Sequence, residues 1–252
     1  MRYGASMSGA CVRVCSSAGT ILARDGPLLP SGASDIRAIL DGAGGEERGM
    51  GDHITQKFRA LFVKANDTLG RWTATQSRAS ALVVSAAMVI ERLPELADDQ
   101  RFGPLKERFP TLPQATREAQ AVALDRVMTN LREEIEYFDE LVKELDRLQR
   151  NAASLLGGMD PPPPGGGGLR RGPTPAVAEC VLGLRDLWRI HRDELAIKRA
   201  LVDELTCDAL MSDLEEVKAL FAAEPNLDPD AVRRLVDSIL DATPDPQARR
   251  RQ

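Results

Sequence analysis

Between Ile54 and Leu93 the chain repeats one pattern without a break. Apolar side chains fall at Ile54, Phe58, Leu61, Ala65, Trp72, Ala79, Leu82, Ala86, Val89 and Leu93, and Thr68 and Thr75 fill the two missing turns. Steps of four and three residues bring all of these onto one stripe of an α-helix, the seam spacing of a coiled coil. A single helix of about 40 residues is implied. A rod of that length with one apolar stripe must be covered by other helices, so the pattern commits the chain to an all-α fold. Gly70 weakens the middle of the helix by about 1 kcal/mol relative to Ala, and Pro94 marks its last turn or its end.

The next stretch, "RFGPLKERFPTLP" at 101–113, holds three prolines in thirteen residues and excludes a continuous helix. Because it still carries Phe102, Leu105, Phe109 and Leu112, it is expected to pack down as a folded crossing between antiparallel helices. A second long helix follows from about Gln114 to Leu155, with Leu124, Met128, Leu131, Ile135, Phe138, Val142, Leu145, Leu148, Ala152 and Leu155 at helical spacing. Its opposite face bears Glu133, Glu140, Lys143, Glu144 and Arg147, with Glu140–Lys143 and Glu144–Arg147 as expected pairs.

A third helix is expected to open at Pro175 with Thr174 as cap, its stripe formed by Val177, Val181, Leu184, Trp188, Leu195, Val202 and Leu205. His191 and Lys198 fall on that same stripe, where a polar residue sets register or meets a partner. Two short helices end the foldable chain. "SDLE" from Ser212 reads as a capping box, and Asp228 followed by Pro229 reads as an N-cap with proline at the first helical position.

The fold class expected is therefore an elongated antiparallel helical hairpin or bundle of three long helices plus two short C-terminal ones. It is taken as a single helical domain over 53–241, with 157–174 a flexible Pro/Gly loop inside it. Residues 1–52 read as a disordered extension and 242–252 as a disordered tail. The first 24 residues hold Arg2, Arg13, Arg24 and four serines with no acidic residue, the composition of an organellar transit peptide as well as of a plain tail. Met50 offers an alternative start. The loop "PPPPGGGG" reads as linker before it reads as a polyproline ligand, because its four glycines remove the stiffness such a ligand relies on.

A formal charge of −5 argues against a general attraction to nucleic acid. Aromatic residues make up only 4% of the chain, so the core must be built from Leu, Val and Ala. Cys11, Cys15, Cys180 and Cys207 fit neither a zinc nor a redox spacing. The longest apolar run, "ALVVSAAMVI" at 81–90, is about half of what a membrane span needs and reads as a buried helical segment.

Motifs for chemistry fail one by one. "HRDEL" at 191–195 resembles a kinase catalytic loop, but Lys198 stands where that pattern needs Asn, and the phosphate-covering and metal-binding motifs are missing. Glu133, Glu136 and Glu140 suggest a carboxylate-bridged metal site, yet neither His53 nor His191 has the Glu three residues before it that such bundle sites use. "GGGG" is not followed by Lys-Ser or Lys-Thr and is no phosphate loop. No nucleophile with an adjacent base emerges, so the chain reads as a non-enzyme without cofactor or metal.

The order of segments is distinctive: a Trp72-bearing helix, the "RFGPLKERFPTL" connector, a second long helix, a linker, "PTPAVAECVLGLRDLWRIHRDELAIKRALVDEL", and "DLEEVKALFAAEPNLDPDAVRRLVDSIL". It resembles the AIRIM family of ribosome maturation factors, in humans first catalogued as a chromosome-one open reading frame, over about 54–241. The residues that carry the resemblance are Arg101, Phe102, Phe109, Pro110 and Leu112 in the connector, with Trp72 and Trp188 on the long helices. The segment from Pro175 through Lys198 and Arg199 to Leu205 adds to them. The resemblance implies a non-catalytic adaptor working with AAA+ ATPases of the spermatogenesis-associated type and with the cyclin-dependent-kinase-interacting protein. Its implied setting is late, cytoplasmic maturation of pre-60S ribosomal particles, with a second role in replisome protein turnover that extends it to the nucleus. On this reading Arg189, His191, Arg192, Lys198 and Arg199 form a basic patch that meets an acidic partner or rRNA, or else solvates the third helix. A coiled-coil scaffold and an RNA-binding helical module are the alternatives.

Overall fold

The computed structural model describes residues 48–157 and 176–241, which form six α-helices and one 3-10 turn, with no strand among them. In chain order these are α1 (Arg48–Ala97), the 3-10 turn (Asp99–Phe102), α2 (Gly103–Arg108), α3 (Leu112–Gly157), α4 (Val177–Asp203), α5 (Met211–Ala223) and α6 (Pro229–Leu240). The all-α fold expected from the periodicity is thus observed. The extension up to residue 47, the Pro/Gly stretch 158–175 with Thr174 and Pro175, and the tail 242–252 lie outside the described residues. α1 begins at Arg48, within the stretch assigned above to the extension.

α1 holds its two mid-stripe threonines without a polar penalty. Thr68 and Thr75 are buried, and their hydroxyls donate to the carbonyls of Lys64 and Arg71 one turn back, each at 2.9 Å. Pro94 is accommodated inside the last turn. Beyond Thr75 the buried positions become Ala79, Val83, Ala86, Ala87 and Ile90, while Leu82, Val89 and Leu93 are only half-buried. A straight helix drifts from a strict heptad seam, and the buried stripe moves with it. The run at 81–90 is therefore not buried throughout, since Val84 and Met88 face solvent.

The connector folds as the expected crossing between antiparallel helices but packs down less than expected. Asp98 caps the 3-10 turn by accepting the Gln100 N–H at 2.9 Å, and Gly103 turns the chain at φ +48, where a side chain would be strained. Neither the 3-10 turn nor α2 contains a buried residue. Leu105 and Phe109 are about half exposed, at 55% and 52%, and Arg101 and Pro110 are exposed too, so the segment folds into short helices while leaving these two apolar side chains open. Phe102 and Leu112 are partly covered, and Pro113 is buried in the first turn of α3, where its missing N–H costs nothing.

The chain divides into two compact units. One comprises Gln76–Ile135 and Ile197–Ala223; among its buried residues are Leu124, Met128 and Leu131 of α3, Val202 of α4, and Leu214, Val217 and Phe221 of α5. Within it Arg78 pairs with Glu134 at 2.7 Å, and Arg117 donates to the Leu96 carbonyl at 3.1 Å, so α1 and α3 run antiparallel there. The other unit takes in the described residues 48–75, 136–157, 176–196 and 224–241. Its core joins Phe58, Phe62 and Ala65 of α1, Leu145, Leu148 and Ala152 of α3, Cys180, Val181, Leu184 and Leu187 of α4, and Val236 and Ile239 of α6. Gly183 marks a close approach: a Cβ there would lie 3.1 Å from Leu235 Cδ1 and 3.2 Å from Phe62 Cζ.

Local details correct the reading of charges and caps. Lys143 pairs with Asp139 at 2.5 Å rather than Glu140, and Glu144 pairs with Arg71 of α1 rather than Arg147. An acid four residues before a base is the better helical geometry, and Glu144 faces the neighbouring helix. Ser212 does not cap α5, because the helix starts one residue earlier and the Leu210 carbonyl takes the N–H groups of Asp213 and Leu214, each at 3.0 Å. Asp228 does cap α6: its carboxylate accepts from Asp230 and Ala231 at 3.0 and 3.1 Å, with Pro229 at the first position.

Candidate functional site

The unit built on Phe58 and Leu184 contains an open cleft of about 340 Å³, whose lining includes Gly70, Trp72, Thr73, His191, Glu224 and Arg233. Trp72 is its anchor. The indole is buried, tilted against Phe138 with ring centroids 4.4 Å apart and edge-on to His191 at 4.7 Å, and its Nε1–H donates to Glu224 Oε1 at 2.8 Å. Glu224 follows the end of α5 with φ +47, a left-handed conformation that usually calls for glycine. A residue with a Cβ accepts a cost of about 1–2 kcal/mol there, and the bond to Trp72 gives a reason for a carboxylate at this place.

His191 is buried, and its Nδ1 lies 2.7 Å from the Leu187 carbonyl, which can only accept, so Nδ1 carries the proton. Burial pulls the imidazole down to about 4, against the opposing pull of that carbonyl, and the ring is neutral near pH 7. Glu194 is also buried and accepts the Asn226 N–H at 3.0 Å, tying α4 to the loop before α6. Cys180 belongs to the core of the same unit, and burial first, then Glu179, pushes its thiol up to about 12.

In the other unit the polar centre is Lys198. The residue is fully buried, with Nζ 2.6 Å from Gln76 Oε1, 3.4 Å from the Phe221 carbonyl and 4.5 Å from the centre of the Phe221 ring. Gln76 completes the link by donating to the same carbonyl at 2.7 Å. These contacts of the buried Lys198 side chain tie together the helices that supply them.

The five residues read as a basic patch therefore divide. His191 and Lys198 face inward and cannot meet a partner on the folded surface, a correction that follows from their place on the apolar stripe of α4. Arg189, Arg192 and Arg199 are exposed. Arg189 pairs with Asp186 at 3.4 Å; Arg192 pairs with Asp193 at 2.7 Å and lies 4.9 Å over the Trp188 ring. Trp188 is half-buried against the core, unlike Trp72. Gln76, Glu194 and Glu224 escaped the sequence reading, since single polar residues beside a stripe carry no periodic signal of their own.

The motif-bearing connector lies on the first unit. Asp99 binds Arg117 and Lys106 at 2.8 and 2.9 Å, and these two, in that order, hold its carboxyl below the usual range. Arg108 sits 5.9 Å over the Phe109 ring. Leu105 and Phe109 are thus presented on a braced turn. Among the described residues no group of His, Cys, Asp and Glu could hold a metal ion, and no helix is long and apolar enough to cross a membrane.

A family model described as "Ribosome biogenesis protein C1orf109-like" matches residues 52–244, a span that begins within the first turns of α1 and runs past α6. No curated protein sequence matches the chain.

Proposed function

Since the chain belongs to the C1orf109-like family of ribosome biogenesis proteins, the family its motifs resemble, we propose that it is a non-catalytic helical adaptor. It joins AAA+ ATPases of the spermatogenesis-associated type, together with the cyclin-dependent-kinase-interacting protein, to late pre-60S particles in the cytoplasm. The observation that carries this reading is the connector. The segment that bears the family resemblance leaves Leu105 and Phe109 open on a turn held by Asp99, and motif residues that do not serve the chain's own core are suited to contacts outside it. Direct RNA binding is the weaker reading, because Arg189 and Arg192 are paired with aspartates of their own helix and His191 and Lys198 are buried.

The test is affinity purification of the tagged chain with mass spectrometry, beside a Leu105→Ser/Phe109→Ser variant. The wild-type chain is expected to recover AAA+ ATPase subunits and 60S proteins, and the variant to lose the ATPase while keeping its helical circular dichroism. Good bait recovery with neither class of protein would refute the adaptor reading.

A further inference from the structure

The unit formed by Gln76–Ile135 and Ile197–Ala223 carries an apolar groove between α1 and α5. Gln76 meets the Phe221 carbonyl and Glu91 meets Lys218 at 3.4 Å, so α5 runs back along α1, with Met211 toward the C-terminal end of α1. On α1, Val84, Ala87, Met88 and Glu91 follow at i, i+3, i+4 and i+7 and share one stripe; on α5, Met211, Leu214, Glu215 and Lys218 do the same. The Glu91–Lys218 pair links these two stripes. Their inner members, Ala87 and Leu214, are buried, while Val84, Met88 and Met211 remain open, Met211 at 62%; Leu210, next to it in the chain, is 67% exposed. Unbranched methionines adapt to a varied apolar partner, and two of them at the edge of a helix pair form a surface of the kind that receives an amphipathic helix.

Charge selects the occupant. Between Glu204 and Glu216 the chain places Glu204, Asp208, Asp213, Glu215 and Glu216, all exposed, with neither lysine nor arginine. Lys218 is shared by Glu91 and Glu215, and Glu95 pairs with Arg101, so the acidic excess rests on Glu204, Asp208, Asp213 and Glu216. An apolar stripe rimmed by carboxylates complements a helix whose apolar face is flanked by lysine and arginine and repels one flanked by acids. We propose that this groove docks a basic amphipathic helix of a partner protein. The inference is read from this unit alone and does not rest on the ATPase assignment.

The test is fluorescence anisotropy with the full chain and labelled peptides of about 18 residues, five turns of helix. The three probes are a Leu/Lys amphipathic helix, a Leu/Glu helix with the same apolar face, and a Leu/Lys peptide of identical composition scrambled to destroy the face. Binding of the first at least about tenfold tighter than either of the others is expected. Met88→Ser/Met211→Ser should weaken it by about tenfold or more. Glu215→Gln/Glu216→Gln should weaken it less and flatten its salt dependence. Both double variants alter exposed side chains, and unchanged circular dichroism shows that each stays folded. Equal binding of the scrambled or acidic peptide, or undiminished binding by the Met88/Met211 variant, would overturn the proposal.

Discussion

At the scale of single residues, His191 gives the chain a built-in acid sensitivity. Its imidazole has an ordinary value near 6.5 in the unfolded chain and about 4 in the fold. The folded state binds that proton more weakly, so the contribution to stability is complete above about 6.5, declines as the pH falls toward 4, and is gone below that. The size is on the order of 3 kcal/mol. Urea unfolding followed from pH 8 to pH 4 should show this loss. His191→Asn, which keeps a donor for the Leu187 carbonyl but cannot titrate, should be less stable at pH 8 and lose less over the same range. An identical pH slope in the two proteins would remove His191 from the account. Residues such as Glu224 and Gln76 show where single positions become legible only in three dimensions. Each bonds to a group far along the chain, at Trp72 and Phe221, and nothing local in the sequence announces the partner.

At the scale of elements, two glycines make opposite forecasts. Gly70 lies in the middle of α1 with open space where a Cβ would sit, so Gly70→Ala should raise stability by about 1 kcal/mol through helix propensity alone. Gly183 gains the same propensity, but its Cβ would press on Phe62, which is fully buried and has nowhere to go. Overpacking of this kind costs about 1–3 kcal/mol, and Gly183→Ala should lower the Tm. Thermal unfolding of the two variants checks both signs, and a rise in both would show that α4 and α6 have slack at this crossing. The same elements show what the sequence disclosed. Long apolar periodicity made α1, α3 and α4 readable, because a stripe such as Leu124–Met128–Leu131–Ile135–Phe138 has one geometric meaning. The Asp228–Pro229 start of α6 was equally plain. The connector is the folded crossing between antiparallel helices that its sequence implies, but its four apolar residues do not all pack down: Leu105 and Phe109 stay open. Whether Phe109 is covered depends on partners in space, and a sequence window does not contain them. The shift from Leu82 and Val89 to Val83 and Ile90 has a related cause, since heptad spacing cannot say where a straight helix leaves the seam.

At the scale of the whole molecule, helices matched to a ribosome biogenesis family over 52–244 form interior centres around Trp72 and Lys198, while the connector leaves Leu105 and Phe109 open. The role proposed for this segment is in late pre-60S maturation. The direct measurement is a sucrose-gradient profile of ribosomal subunits from cells depleted of the chain and resupplied with either the wild-type sequence or Leu105→Ser/Phe109→Ser. Depletion should lower free 60S relative to 40S, the wild-type chain should restore the ratio, and the folded double variant should not. A subunit ratio untouched by depletion, or full rescue by the variant, would contradict the account.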